Sequence, residues 1–367
     1  LIILTSCIDP YSPPVLDQEA AALVIDGFIN MNGESTIRLS RSQNIYDTNA
    51  PLTETGALIT LEDEDGTKIF LTEAEAGKYV LPQQVFASKN YRLNILTKDS
   101  KEYQSDFEPG LVSPPIDSLT WNLTDNLGVQ INVNTHDFEK SKGFYRWTFE
   151  ETWLYTSEYE SAFIYNYNSH TVELRSDNIY QCYRSARSTD ILIESTVRLK
   201  TNTISNFPIT YIPNNFERLR YQYSILTTQH SISEEAFSYW QQLKKTTEDL
   251  GTLFGPLPSQ ITGNFQCISN PDEPVVGYFA IGTTTSKRIF ISANQLSGSP
   301  HYITPYENCE SFELLNANIS NFSGPYLLAG GIPNPNGPNI LGYYYSTPNC
   351  VDCRLSGGTN VKPDFWP

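Results

Sequence analysis

Basic side chains are few in this 367-residue chain: Lys and Arg number 24 against 41 Asp and Glu, a formal net charge of -17. A phosphate backbone would be repelled over most of such a surface, so nucleic acid is not an expected partner. Histidine occurs four times, at His136, His170, His230 and His301, and none stands in a recognisable triad context. A Gly-x-Ser-x-Gly elbow is also missing, which leaves nucleophilic hydrolysis without a sequence signal. Strand and helix patterns do not alternate, which excludes a doubly wound α/β sheet. No repeat of solenoid length is evident.

What is abundant points to pleated sheet. Aromatics make up 13% of the chain, led by 23 Tyr, and with Thr and Ile they suit half-buried strands. Pro and Gly, 23 and 21 in number, supply the turns between them. The length predicts two domains.

The N-terminus carries the sharpest local signal. Leu1-Ile2-Ile3-Leu4-Thr5-Ser6-Cys7 reads as the end of a secretory h-region, too short to span a bilayer. Leu4-Thr5-Ser6-Cys7 has the form of a lipobox: an aliphatic residue, two small ones, then the thiol that accepts diacylglycerol. Asp9-Pro10-Tyr11-Ser12-Pro13-Pro14 follows as a tether. Cys7 is therefore the expected lipidation site, and several acyl chains would give a firm anchor. Export also permits disulfides among Cys182, Cys267, Cys309, Cys350 and Cys353. Five is odd, so at least one thiol stays free or pairs between chains.

Residues 1–20 are read as signal remnant, lipidated Cys and tether, and 21–107 as an Ig-like β-sandwich. In that sandwich Leu23-Val24-Ile25-Asp26-Gly27-Phe28-Ile29 is a buried strand, and Asn32-Gly33 and Asp65-Gly66 mark hairpins. A Pro-rich linker, 108–116, holds Ser113-Pro114-Pro115 extended. A larger β-sandwich domain, 117–367, follows. In it Tyr145, Trp147 and Phe149 alternate with Arg146, Thr148 and Glu150, predicting a strand with one face buried. Residues 156–180 read as a long excursion. Ser231-Ile232-Ser233-Glu234 reads as a capping box opening an amphipathic helix near 232–250, with Phe237, Trp240, Leu243 and Leu250 on its apolar stripe. The fold class is all-β with that one helix.

Other constellations carry less. Cys350-x-x-Cys353 is half of a zinc pattern that nothing completes, and it sits in a Pro/Gly-rich tail unsuited to a thioredoxin-type motif. Cys309, Cys350 and Cys353 are read instead as candidates for a disulfide, with one of the last two bridging Cys309. Glu62-Asp63-Glu64-Asp65-Gly66 concentrates carboxylates but fails the EF-hand spacing and reads as a solvated hairpin tip. Neither metal nor cofactor is expected. Tyr155, Tyr159, Phe163, Tyr165 and Tyr167 crowd the strand end and the excursion, and they form the candidate binding surface, because tyrosine is amphipathic and orders at low entropic cost.

Several runs together resemble a known family. They include Leu23-Val24-Ile25-Asp26-Gly27-Phe28-Ile29-Asn30, Ala76-Gly77-Lys78-Tyr79, Ser113-Pro114-Pro115-Ile116-Asp117-Ser118, Gly251-Thr252-Leu253-Phe254 and Val276-Gly277-Tyr278-Phe279. The close, Cys350-Val351-Asp352-Cys353-Arg354 to Pro363-Asp364-Phe365-Trp366, is the most specific piece. The chain resembles the Bacteroidota lipoprotein family catalogued as domain of unknown function 4249. That resemblance implies an outer-membrane, surface-exposed lipoprotein, often encoded beside TonB-dependent transporters, and supplies no catalytic residues. The expected function is a non-enzymatic accessory or partner subunit of an outer-membrane β-barrel such as a TonB-dependent transporter, lipid-anchored at the cell surface. The alternative is a glycan- or peptide-binding module for nutrient capture.

Overall fold

The structure is a computed structural model, and it describes residues 22–43, 47–82, 85, 89–248, 263–296 and 302–367. It is mostly β, with several antiparallel sheets and one longer helix, as the composition predicts. Cys7 and its tether, Gly251 to Phe254, Leu250 and His301 lie outside the described residues. The chain divides into two compact units, 1–111 with 241–283, and 112–240 with 284–367.

The first unit packs two sheets around one largely aliphatic core. One sheet runs in the order Val275–Gly277, Leu23–Asn30, Ser35–Arg41, Lys78–Leu81, Thr72–Glu75. The other runs Phe265–Cys267, Glu102–Ser105, Asn90–Leu96, Leu58–Asp63, Lys68–Phe70. Period-two alternation turns Leu23, Ile25, Ile37 and Leu39 from the first sheet toward Ile59, Leu61, Leu93 and Ile95 from the second, and all are buried. Each such side chain contributes roughly 1.5–3 kcal/mol on leaving water.

The sandwich is not self-contained within 21–107. Residues 265–282 return to complete both sheets, with Phe265–Cys267 antiparallel to Glu102–Ser105, and Val275–Gly277 and Ile281–Gly282 parallel to Leu23–Asn30. Gly277 adopts φ 138°, and a Cβ there would meet the Ile25 carbonyl oxygen at 2.3 Å, so the close parallel pairing requires glycine. A buried polar lock fixes the return: Glu108 Oε1 accepts from the Tyr278 hydroxyl and from Asn264 Nδ2, while Asn264 also brackets both backbone groups of Phe279.

The acidic hairpin tip is closed by its own chain. Asp63 Oδ1 accepts from the backbone N–H of Asp65 and Thr67, and its Oδ2 takes the Lys89 ammonium at 2.6 Å. Next to it Glu62 receives two bonds from Arg92 and one from Asn94.

In the second unit, Ile116–Leu123, Val129–His136 and Thr203–Ile212 form one sheet. Gln181–Arg187, Phe144–Thr156, Gln222–Ser231 and Thr284–Ser292 form the other, with Leu192–Ser195 also paired to Phe144–Thr156. The alternation read at residues 145 to 150 is present: Tyr145, Trp147 and Phe149 are buried and Arg146, Thr148 and Glu150 are half-exposed. Trp147 stacks on Phe207 and donates its indole N–H to Gln229 Oε1, whose amide nitrogen reaches the Pro114 carbonyl. The indole thus enters an apolar core with its one donor satisfied.

The helix spans Glu234–Glu248. Its cap is Ser233, whose Oγ accepts from the Ala236 N–H, and not Ser231, because the strand Gln222–Ser231 runs through that residue. The buried positions are Ala236 and Tyr239, while Phe237 and Trp240 on the expected stripe are only half-buried. Phe237 packs on Phe144, and Trp240 lies under the Arg146 guanidinium at 3.9 Å.

Candidate binding site

The excursion 156–180 is ordered by a hairpin, Phe163–Asn166 against Thr171–Leu174. Its turn is reversed by His170 at φ 54°. Beside it stands a small sheet in the order Phe312–Leu315, Gly342–Ser346, Leu327–Ile332. Tyr165, Phe322 and Leu328 form a core between them, against which Phe163, Tyr326, Tyr343 and Tyr345 pack.

Two disulfides tie this aromatic region down. Cys309 pairs with Cys350 and Cys353 with Cys182, while Cys267 stays a buried free thiol in the first unit. The excursion is also hydrogen-bonded to the knuckle at 348–354: Ser157 Oγ donates to the Val351 carbonyl, and the Cys353 N–H donates to the Ile179 carbonyl. Beyond the knuckle the chain folds over the edge strand Gln181–Arg187. Thr359 pairs with Tyr183, and Trp366 packs edge-on against Tyr183 and Phe290. A free sheet edge is thereby covered.

The hairpin, the segment 322–328 and the knuckle enclose a cleft of about 480 Å³. That lies within the roughly 300–1,000 Å³ typical of small-molecule sites. Aromatic rings form its walls: Tyr165 meets Tyr167 and Phe322 edge-on at 4.8 and 5.1 Å, and the Tyr167 hydroxyl donates to the Gly324 carbonyl.

Arg175, Asp352 and Arg354 bring charge to the cleft lining. Arg354 donates Nε and Nη2 to the two oxygens of Asp352 at 2.8 and 2.7 Å. Burial alone would raise the Asp352 carboxyl, but the hydrogen bonds from Arg354 outweigh it and hold the group below its ordinary value. Arg175 is 7% exposed; its Nε donates to Ser161 Oγ and its Nη1 to Asp177 at 3.0 Å.

The five aromatic residues singled out from the sequence have different fates. Tyr165 and Tyr167 line the cleft. Phe163 is half-buried against Tyr343, and Tyr159 is half-buried with its hydroxyl on the Cys309 carbonyl. Tyr155 is not surface at all: it is fully buried in the sandwich core, where its hydroxyl donates to the Cys353 carbonyl. The long strand Phe144–Thr156 simply continues through Tyr155, and the knuckle covers its end. Sequence reasoning missed Arg175, Phe322, Tyr326, Asp352 and Arg354; the nearest signal was the placement of Asp352 and Arg354 in and beside Cys350-x-x-Cys353.

A second polar cluster lies elsewhere in this unit. Glu151 accepts from the Tyr223 hydroxyl and from Arg218, both at 2.6 Å. Glu217 is buried 3.9 Å from Arg184, and its carboxyl is raised by burial against the pull of that guanidinium. Neither carboxylate lines the cleft. Among the described residues no group of three or more His, Cys, Asp or Glu could hold a metal ion, and no helix is long and apolar enough to cross a membrane.

These features define a two-unit, mostly β protein with a disulfide-pinned aromatic cleft. The chain belongs to the family described as domain of unknown function (DUF4249), whose model matches residues 8–288. The C-terminal knuckle, the most specific part of the resemblance, lies beyond the matched residues. No curated protein matches the chain.

Proposed function

We propose that this chain is an outer-membrane lipoprotein of the Bacteroidota type, anchored through an acylated Cys7 at the cell surface. There it serves as a non-enzymatic accessory subunit of a β-barrel such as a TonB-dependent transporter. The observation that carries the reading is the aromatic region of the second unit, fixed by two disulfides and built from tyrosine and phenylalanine. Rigid aromatic side chains lose little entropy on contact and suit partner recognition. Disulfides fit an exported location, and the Leu4-Thr5-Ser6-Cys7 sequence supplies the attachment chemistry.

Purification from membranes in mild detergent, followed by mass spectrometry, tests this. A co-purifying β-barrel and acyl chains on Cys7 are expected. Repeated recovery of the lipoprotein alone, or mature protein lacking acyl chains, overturns it. The cleft favours a second reading, in which the same anchored protein captures a nutrient ligand for uptake.

A further inference from the structure

The chemistry of the cleft narrows what such a ligand can be, and this inference rests on the capture reading. The cleft lining carries Arg175, Arg354 and Asp352, and Asp177, just outside it, pairs with Arg175, so the charges balance two against two. They are also closed on one another, since Arg354 grips both oxygens of Asp352 and Arg175 holds Asp177. An anion or cation entering here would give up its hydration and find no uncompensated opposite charge.

Hydrogen-bonding capacity nevertheless remains. Among the described residues no acceptor meets Arg175 Nη2. Asp352 Oδ1 is filled by two bonds from Arg354, but Oδ2 accepts only one and keeps lone-pair capacity. A hydroxyl both donates and accepts, so neighbouring hydroxyls on a ring can take a bond from Arg175 and return one to Asp352. The walls add flat rings, with Tyr167 half exposed and Ile164 exposed beside it. The electron-rich face of an aromatic ring attracts the polarised C–H bonds of a sugar.

We propose that the cleft bounded by Tyr165, Tyr167, Arg175, Tyr326, Asp352 and Arg354 is a binding site for a neutral oligosaccharide. Peptides, whose termini and side chains bring charge, and acidic glycans are disfavoured by the closed ion pairs.

The test is titration calorimetry of the full exported protein against three panels: neutral oligosaccharides, acidic oligosaccharides and short peptides. Saturable binding of a neutral oligosaccharide is expected. Tyr167→Ala, at a half-exposed position, should weaken it about tenfold. Tyr167→Phe should retain most of the affinity, and both variants should stay folded, with cooperative unfolding a little below the wild-type midpoint. Binding confined to acidic sugars or peptides overturns the proposal, as does an absence of binding across all panels or wild-type affinity in Tyr167→Ala. Recovery of a barrel partner is read separately: a protein that brings down a barrel yet binds no sugar refutes this inference and leaves the partner reading intact.

Discussion

The two units solve the same packing problem by different means. The first unit closes mainly on interlocking aliphatic side chains from its two sheets, and Cys267 in its core is unpaired. The second unit buries a larger share of aromatics, including Trp147, Tyr145, Tyr155 and Tyr223, than the first unit with Tyr79, Tyr91, Tyr103 and Phe279, and it carries both disulfides. The reason lies in the last stretch of chain. From Gly330 onward it is dense in Gly, Pro and Asn and yields only one short strand, Gly342–Ser346, after Leu327–Ile332. Such a segment buries too little apolar surface to offset its ordering entropy, so covalent links hold it to the sheet. The cleft depends on the same arrangement, since its floor is the knuckle between the two bonded cysteines.

Breaking the disulfides should separate the units most strongly. The Cys182–Cys353 bond spans 171 residues and the Cys309–Cys350 bond 41. Loop-closure entropy predicts a loss on the order of 3–5 kcal/mol for the first and somewhat less for the second. All five tryptophans, Trp121, Trp147, Trp153, Trp240 and Trp366, fall in the second unit. Indole fluorescence in urea therefore reports that unit alone. Cys182→Ala with Cys353→Ala should lower the fluorescence midpoint by that loss divided by the slope of stability against urea. An unchanged midpoint would mean that the C-terminal segment is held by packing.

Acid should distinguish the units next. All four histidines lie in the second unit. Of these, His230 is deeply buried near Arg146, and burial followed by that positive charge lowers it to about 3. Its unfolded value is near 6.5, so between these limits the unfolded chain binds the proton and the folded chain does not. Stability is thus full above pH 6.5 and falls as pH drops, by on the order of 2 kcal/mol at pH 5. Glu62, Asp63, Glu273 and Asp352 have lowered values, and their contributions are lost only at more acidic pH. Glu217, raised by burial, works in the opposite sense because the folded state takes its proton first. Fluorescence midpoints from pH 7.5 to 5 should fall for the wild type and flatten in His230→Gln; equal slopes would remove the histidine from the account.

The contrast also explains which parts were legible in the sequence. Where strands alternate, as in Ser35–Arg41 and Phe144–Thr156, period-two burial made them readable locally. The return of Val275–Gly277 to Leu23–Asn30 was not, because parallel pairing between distant segments leaves no local trace beyond a glycine. The helix was legible but its cap was displaced to Ser233, since two serines fit the pattern and only sheet pairing chooses between them. The cleft draws on three separate segments, so Tyr165 and Tyr167 could be noticed while Arg175 and Arg354 could not. Tyr155 shows the converse: its neighbours in sequence suggest a surface, and strand continuity buries it.

The smallest effect sharpens the comparison from the other side. Cys267 is buried and unpaired in the first unit, its sulfur 3.4 Å from Ser269 Oγ. Cys267→Ala should cost only about 1 kcal/mol, because a small side chain leaves a small cavity. In protein whose Cys7 is acylated or replaced, alkylation of the Cys267 thiol reports opening of the first unit, just as fluorescence reports the second. Adding reductant should lower the fluorescence midpoint and expose new thiols in the second unit while the rate of Cys267 labelling in dilute urea stays constant. If the labelling rate rises with reductant, the first unit draws stability from the disulfides of the second, and the division into two separately stabilised bodies fails.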